Sequence, residues 1–349
     1  MSEHEVPSAF TLSAPSAPSA KRPARPYRGR FAPSPTGPLH FGSLITALGS
    51  YLQARSQGGE WWVRMEDIDP PREQAGAADA ILRALEAYNL QWDGTVLYQS
   101  ARSDAYRAAL LQLQQQGDSF PCGCTRSAIS TAQRNPSTDH TTDDPADEHA
   151  PLPMIYPGTC RHGLPPGTTA RAIRLRVPPL TDSFTDALQG PQQTPLQTGV
   201  GDFVVRRADG LFAYHLAVVV DDAEQQISEI VRGTDLLSST PPQRYLQTRL
   251  GLPHPAYCHL PVATNRQGQK LSKQTFAAAI DIRQPGPTLC RALAFLGQQP
   301  PPGLADAAPA EILRWAISHW DLQQVPKRTA IPTQHDDAPP VTGTSAPSR

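Results

Sequence analysis

Between Arg30 and Leu44 the chain reads RFAPSPTGPLHFGSL, where three prolines and a glycine precede His40. Proline fixes φ and glycine admits close backbone approach, so the spacing predicts a rigid turn emptying into a helix that begins near Phe41. A helix start presents unpaired N–H groups and the positive end of the dipole, and His40 with Ser43 adds side-chain donors aimed at the same place. That is the architecture of a phosphate site. A capped helix behind a proline-rich linker reads the same on this stretch alone, so a second signal is required.

The surrounding pattern alternates. WWVRMEDID at 61–69 is expected to be a strand, and AADAILRALEAYNL after it carries helical spacing at Ile81, Leu82, Leu85 and Tyr88. With the helix from Phe41 and the helical run SDAYRAALLQLQQQG, the first 120 residues predict a doubly wound, Rossmann-type α/β sheet. LFAYHLAVVVDD at 211–222 is read as a strand whose two terminal carboxylates lie near the C-terminal edge of the sheet, where such folds bind ligands. Residues 27–121 and 201–260 are then two halves of one catalytic fold, separated by an insertion over 122–200. A loop and helical region follows over 261–325, with PTLCRALAFLG and AEILRWAISHW as its helical patterns.

Composition bounds the rest. A chain of 349 residues suggests about two domains of ~150 residues. Its 38 prolines are about twice the usual ~5% share and crowd the ends, so 1–26 and 326–349 are expected to be disordered tails, and 131–150 a disordered loop. A net charge of −1 gives no global nucleic-acid footprint but leaves room for a local basic groove, and KRPARPYRGR reads as a solvated tail. No apolar run suits a signal peptide or a membrane span, so the expected location is cytoplasmic. Five cysteines, an odd number, then point to metal binding or burial rather than a disulfide framework.

The second signal is GQKLSKQTFA, where Lys270 and Lys273 flank a serine in a glycine-led loop. Two ammonium groups so spaced can meet a polyphosphate that gains charge as it leaves. HFGS and KLSKQ, some 230 residues apart, resemble the HIGH and KMSKS signatures of class I aminoacyl-tRNA synthetases. RFAPSPTGPLHFGSL, VRMEDID, AYHLAVVVDD, IVRGTDLL, PQRYLQTRLG and KLSKQ occur in the order used by glutamyl-tRNA synthetases, over roughly 28–280. Two signature positions depart from the pattern: Ser43 stands for the final His of HIGH, and Gln274 for the final Ser of KMSKS.

The resemblance implies an ATP-dependent ligase that makes glutamyl-adenylate with Mg²⁺. It implies ATP contacts at Pro33, His40, Gly42, Ser43, Lys270 and Lys273, with His40 and Lys273 catalytic. Glutamate is met by the segment Arg30, Phe31, Ala32, Pro33 and Ser34, by Glu66 at the α-ammonium, by Tyr214 lining the pocket and by Arg232 at the side-chain carboxylate. Charge agrees: selecting a second carboxylate calls for a fixed guanidinium, and Arg30 and Arg232 fit.

PCGCTR and YPGTCR supply Cys122, Cys124 and Cys160, three soft thiolates that suit one structural zinc with a fourth nitrogen or oxygen donor. Spacing alone leaves Tyr156 and His162 as rivals for that place; the family pattern Y-x-x-x-C implies Tyr156. Cys258 and Cys290 are expected to be buried thiols.

Only 75 residues follow Gln274, too few for the helical anticodon-binding domain of glutamyl-tRNA synthetases. The chain resembles truncated members of that family, which esterify glutamate to queuosine at the wobble position of tRNA(Asp), and Val218 in YHLAVVVDD agrees with that branch. The implied partners are L-glutamate and a tRNA(Asp) anticodon loop bearing queuosine, with no membrane and no protein partner. Two rivals stand beside this reading: a truncated synthetase charging a tRNA 3′ end, and a non-catalytic zinc-bearing RNA-binding module.

Overall fold

The computed structural model describes residues 26–134, 155–271 and 278–333. Strand β1 (Arg28–Phe31) leads through the proline turn into helix α1 (Phe41–Ser56), followed by β2 (Glu60–Met65), α2 (Ala77–Ala87), β3 (Leu97–Tyr98) and α3 (Ser103–Gln115). Next come β4 (Ser119–Cys122), α4 (Arg126–Arg134), β5 (Ala172–Leu175), β6 (Thr181–Asp186), β7 (Gly190–Pro195), the single turn α5 (Leu196–Gly199) and β8 (Val204–Arg206). The second half runs α6 (Tyr214–Glu224), β9 (Glu229–Gly233), α7 (Thr240–Leu250), β10 (Ala256–Leu260), β11 (Val262–Thr264), α8 (Pro285–Phe295), α9 (Pro309–His319) and β12 (Ala330–Pro332).

Two parallel leaves lie side by side. In one, β1 pairs with β2 from Arg28↔Glu60 to Phe31↔Val63, and β2 pairs with β3. In the other, β9 pairs with β10, and β10 with β6. The Ser228 amide donates to the Arg28 carbonyl at 2.9 Å, and the Arg28 amide to Ser228 Oγ at 2.8 Å, which sets β9 beside β1. The chain order thus reverses between β1 and β9, the switch point at which doubly wound sheets open a ligand crevice. Helix α1 packs so tightly on β10 that a Cβ at Gly49 would lie 2.5 Å from Leu260 Cδ1.

The structure corrects five sequence expectations. Residues 214–224 form helix α6, not a strand: a short apolar run cannot be told from a buried helix by periodicity, and Leu216, Ala217, Val218 and Val219 are buried together. The strand expected over 61–69 ends at Met65, leaving Glu66 to Asp69 outside it. The segment 122–200 is not one inserted body: hairpin β6–β7 joins the catalytic leaf through Tyr257↔Asp186, while β4 and β5 form an antiparallel sheet with β8. The segment 326–349 begins as structure, because β12 pairs in parallel with β11 and draws the backbone into a ladder. Helix α4 likewise runs into the start of the 131–150 segment; the rest of that segment, residues 1–25 and 334–349, and Lys273 lie outside the described residues. Among the described residues no helix is long and apolar enough to cross a membrane.

Candidate active site and metal centre

Parallel strands β1, β2 and β9 bring their C-terminal ends to the switch point, and with them Arg30, Glu66 and Arg232. Helix α6 supplies Tyr214 at its first position and Asp222 in its last turn. Ser34, Glu66, Asp69, Arg207 and Tyr214 line a cavity of about 100 Å³ there. The Phe31 side chain turns instead into the core, its ring 6.2 Å from that of Trp61, so only its backbone can serve a ligand.

Beneath the cavity lies a buried ionic layer. Asp222 Oδ1 accepts from Arg30 Nε at 3.1 Å and from Arg64 Nη1 at 2.8 Å, and Arg64 also reaches Gln225 Oε1 at 2.8 Å and Glu66 Oε1 at 3.4 Å. Despite burial, the two guanidinium groups hold the Asp222 carboxyl below its ordinary value. Arg30 is 4% exposed, and among the described residues it donates only through Nε. Its terminal nitrogens are therefore left as a fork for a carboxylate ligand, the geometry that guanidinium recognition favours. Burial pushes the Glu66 carboxyl up to about 7, against the pull of Arg64 and Arg30. Burial, then the Glu66 carboxylate, pushes Tyr214 up to about 12, so it is a neutral phenol at physiological pH.

Arg232 is held on several sides. It donates from Nε to His259 Nε2 at 3.1 Å, from Nη1 to Gln243 Oε1 at 2.9 Å, and from Nη2 to Thr240 Oγ1 at 2.9 Å and the Leu236 carbonyl at 3.2 Å. His259 Nδ1 in turn lies 2.6 Å from Asp186 Oδ2, with both side chains fully buried. Burial lowers the His259 pKa, which favours the neutral ring.

The two distant signatures meet. His40 caps α1, its Nδ1 accepting from the Ser43 amide at 3.3 Å and its Nε2 lying 3.0 Å from Ser43 Oγ. A Cβ at Gly42 would sit 3.1 Å from the Leu271 carbonyl, and His40 bridges to Ala279, so the described residues on both sides of the KLSKQ loop abut the helix start. A side chain at 42 would therefore crowd that approach, displacing its neighbours by a few tenths of an ångström. Pro33 accepts from the Glu66 amide at 3.0 Å, tying the proline turn to the end of β2. Lys270 pairs with Asp235 Oδ2 at 2.5 Å.

The sulfurs of Cys122, Cys124 and Cys160 lie within 4.8 Å of one another. The Tyr156 hydroxyl is 3.4 Å from Cys122 Sγ and 3.6 Å from Cys124 Sγ, and the Cys124 and Cys160 sulfurs are 3.6 Å apart. A tetrahedron with bonds of about 2.3 Å has edges of about 3.8 Å, close to the separations of these donors, so the set fits zinc. Arg174 lies over the Tyr156 ring at 4.1 Å and donates to Cys122 Sγ at 3.4 Å, offsetting the negative charge of clustered thiolates. His162 is not part of the cluster.

Fold and site together define a nucleotide-dependent activating enzyme, and the comparisons supply its class. The chain belongs to the tRNA synthetases class I (E and Q), whose catalytic domain matches residues 27–286. Within that class it belongs with the glutamyl-Q tRNA(Asp) synthetases. The protein of that name from Thiobacillus denitrificans is 54% identical over 303 residues, which cover 87% of this chain and 96% of that protein. Its counterpart from Dechloromonas aromatica is 55% identical over 306 residues, covering 88% and 98%. The crystal structure of glutamate-tRNA synthetase from Elizabethkingia anophelis superposes with a TM-score of 0.71 at 25% identity, over 90% of this chain and 69% of that one.

Sequence reasoning placed Asp222, one of the two carboxylates closing VVVDD, near the ligand edge without giving it a role, and did not single out Arg64, Asp186 or His259. Arg64 stands inside the quoted VRMEDID, where a charged residue in a strand-like run was the available signal. Nothing local marks Asp186 or His259, which meet only because β6 and β10 pair.

Proposed function

We propose that this chain activates L-glutamate with ATP and transfers it to queuosine in the anticodon loop of tRNA(Asp). The observation that carries the amino-acid half is Arg30, buried and with its terminal fork unengaged among the described residues, beside the Glu66 carboxylate. In this reading Glu66 meets the α-ammonium, Arg30 presents its fork to a glutamate carboxylate, Tyr214 lines the pocket and Arg232 meets the side-chain carboxylate. A glutamate carboxylate oxygen bonds to the α-phosphorus of ATP as the bond to pyrophosphate breaks. His40, the start of α1 and Lys273 are assigned to the charge that grows on the phosphates, and bound Mg²⁺ supplies further neutralisation there. A hydroxyl of the queuosine cyclopentenediol then bonds to the activated acyl carbon, AMP leaves, and no covalent enzyme intermediate forms.

The names of the relatives support the RNA half, as does charge. Arg207, paired with Asp69 and Asp209, lines both the amino-acid cavity and an adjoining groove to which Arg171 and Arg206 bring two cations without ion pairs among the described residues, on a chain of net charge −1. Single-stranded loops suit such a groove, because their bases can be splayed out. Cys122, Cys124, Cys160 and Tyr156 are assigned to one structural zinc, its four protein ligands leaving no open position for chemistry. With tRNA and ATP as substrates, the reaction is assigned to the cytoplasm.

The test is acylation of tRNA(Asp) with labelled glutamate, with and without queuosine. Label retained on queuosine-bearing tRNA after periodate destruction of a free 3′ diol is not diagnostic, since both diols react, so the comparison is made on tRNA whose 3′ terminal nucleotide has been removed. Acceptance by that tRNA only when it carries queuosine is expected. Acceptance only at an intact 3′ end would instead assign the chain to 3′ charging.

A further inference from the structure

The pair Asp186–His259 has no part in the chemistry described above, yet it is buried against a guanidinium assigned to substrate. Asp186 Oδ1 accepts from the amides of Leu188 at 3.0 Å, Gln189 at 2.9 Å and His259 at 3.2 Å, while Oδ2 faces His259 Nδ1 at 2.6 Å. A carboxylate so placed accepts only, which puts the imidazole proton on Nδ1 and leaves Nε2 as an acceptor. Nε2 is the atom that Arg232 Nε meets, at 3.1 Å, and the Thr240 hydroxyl, which accepts from Arg232 Nη2, lies 3.3 Å from the same nitrogen. Gln243, Thr240 and the Leu236 carbonyl hold the other two guanidinium nitrogens, leaving one Nη1 hydrogen unengaged among the described residues. The hairpin β6–β7, by joining β10, delivers Asp186 to this position.

We propose that Asp186 and His259 are positioning residues for glutamate selection: Asp186 fixes the His259 tautomer, and the ring then orients the Arg232 plane toward the side-chain carboxylate. This rests on the assignment of Arg232 to that carboxylate. The chain of cause makes one substitution informative. In Asp186→Asn the three amides facing Oδ1 keep the amide oxygen on their side, so the NH₂ group faces His259 Nδ1. The imidazole proton must then move to Nε2, where it opposes the Arg232 Nε hydrogen. The size of the side chain hardly changes.

The experiment is glutamate-dependent pyrophosphate exchange with full-length wild type, Asp186→Asn and Arg232→Lys, together with ¹⁵N spectra of the histidines. The His259 signals are assigned by their loss in His259→Gln. Wild type is expected to show the Nδ1–H tautomer at His259, and Asp186→Asn the Nε2–H form. Asp186→Asn should raise KM for glutamate by about 10-fold or more, the scale of a lost hydrogen bond to a charged group, and leave KM for ATP within about twofold. A wild-type ring with its proton on Nε2, or doubly protonated, overturns the proposal even if the variant fails to fold. So does a switched tautomer with unchanged KM for glutamate, or an equal rise in both KM values. If Arg232→Lys raises KM for glutamate and Asp186→Asn does not, the positioning role alone falls. If Arg232→Lys has no effect on KM for glutamate, the assignment of Arg232 falls and the proposal with it.

Discussion

Asp222 accepts a hydrogen bond from Arg30 at 3.1 Å inside the protein, with both side chains at most 4% exposed. The same oxygen serves Arg64, so one carboxylate on α6 fixes two guanidinium groups from different strands and sets the angle of the Arg30 fork. Removing one member of a buried ionic group leaves the others uncompensated, which costs about 3–5 kcal/mol. Asp222→Ala is therefore expected to lose stability on that scale in urea unfolding. Asp222→Asn, which keeps one acceptor oxygen, should lose less while still raising KM for glutamate. Equal stability of Asp222→Ala and wild type would show that the layer carries no net constraint.

With Glu66 assigned to the α-ammonium, activation is expected to depend on pH. Burial puts its pKa near the working range, at about 7, and only the ionised form can pair with an α-ammonium. As pH falls below that value the carboxylate is lost, so KM for glutamate should rise, approaching about 10-fold per pH unit for a single competing proton. Above it, KM should level off. Glu66→Gln should raise KM throughout and flatten the profile between pH 6 and 8 as measured by exchange. A profile in the variant as steep as in wild type would assign the titration to another group.

Activation should proceed without RNA, since the assigned glutamate and ATP contacts all lie within the catalytic fold. Pyrophosphate exchange is expected with protein, Mg²⁺, ATP and glutamate alone. Lys273→Ala should slow it by about 10²-fold, the scale of one preorganised transition-state contact. Undiminished exchange in that variant would remove Lys273 from the mechanism.

One zinc per chain should be found by elemental analysis of gently purified protein. Cys122→Ser should lose it, along with the stability of the surrounding β4–β5–β8 sheet, because Cys122 ends β4 and its sulfur is also a partner of Arg174. Tyr156→Phe removes the fourth donor and should weaken retention against a chelator. Full retention in Tyr156→Phe would assign the fourth position to His162 or water.

The doubly wound class, the capped helix at Phe41, the thiol set and the arginines assigned here to the substrate were all visible in the sequence, because each depends on local pattern or on residue chemistry at short range. Helix α6 was not, since an apolar run buried on every side carries no periodic signature to separate it from a strand. Nor was the division of 122–200 between two sheets, or β12 in the presumed tail, because strand pairing partners are set by contacts far apart in the chain. The convergence of His40 with the described ends of the KLSKQ loop, 230 residues away, was suggested by two motifs and given its geometry only by packing. By itself the sequence determined which groups are available to bind a carboxylate, a phosphate and a metal. Only the tertiary structure decided which nitrogen of each arginine is free and which is held, as with Asp222 beneath Arg30 and Asp186 behind His259, because hydrogen-bond direction exists only once the partners are fixed in space.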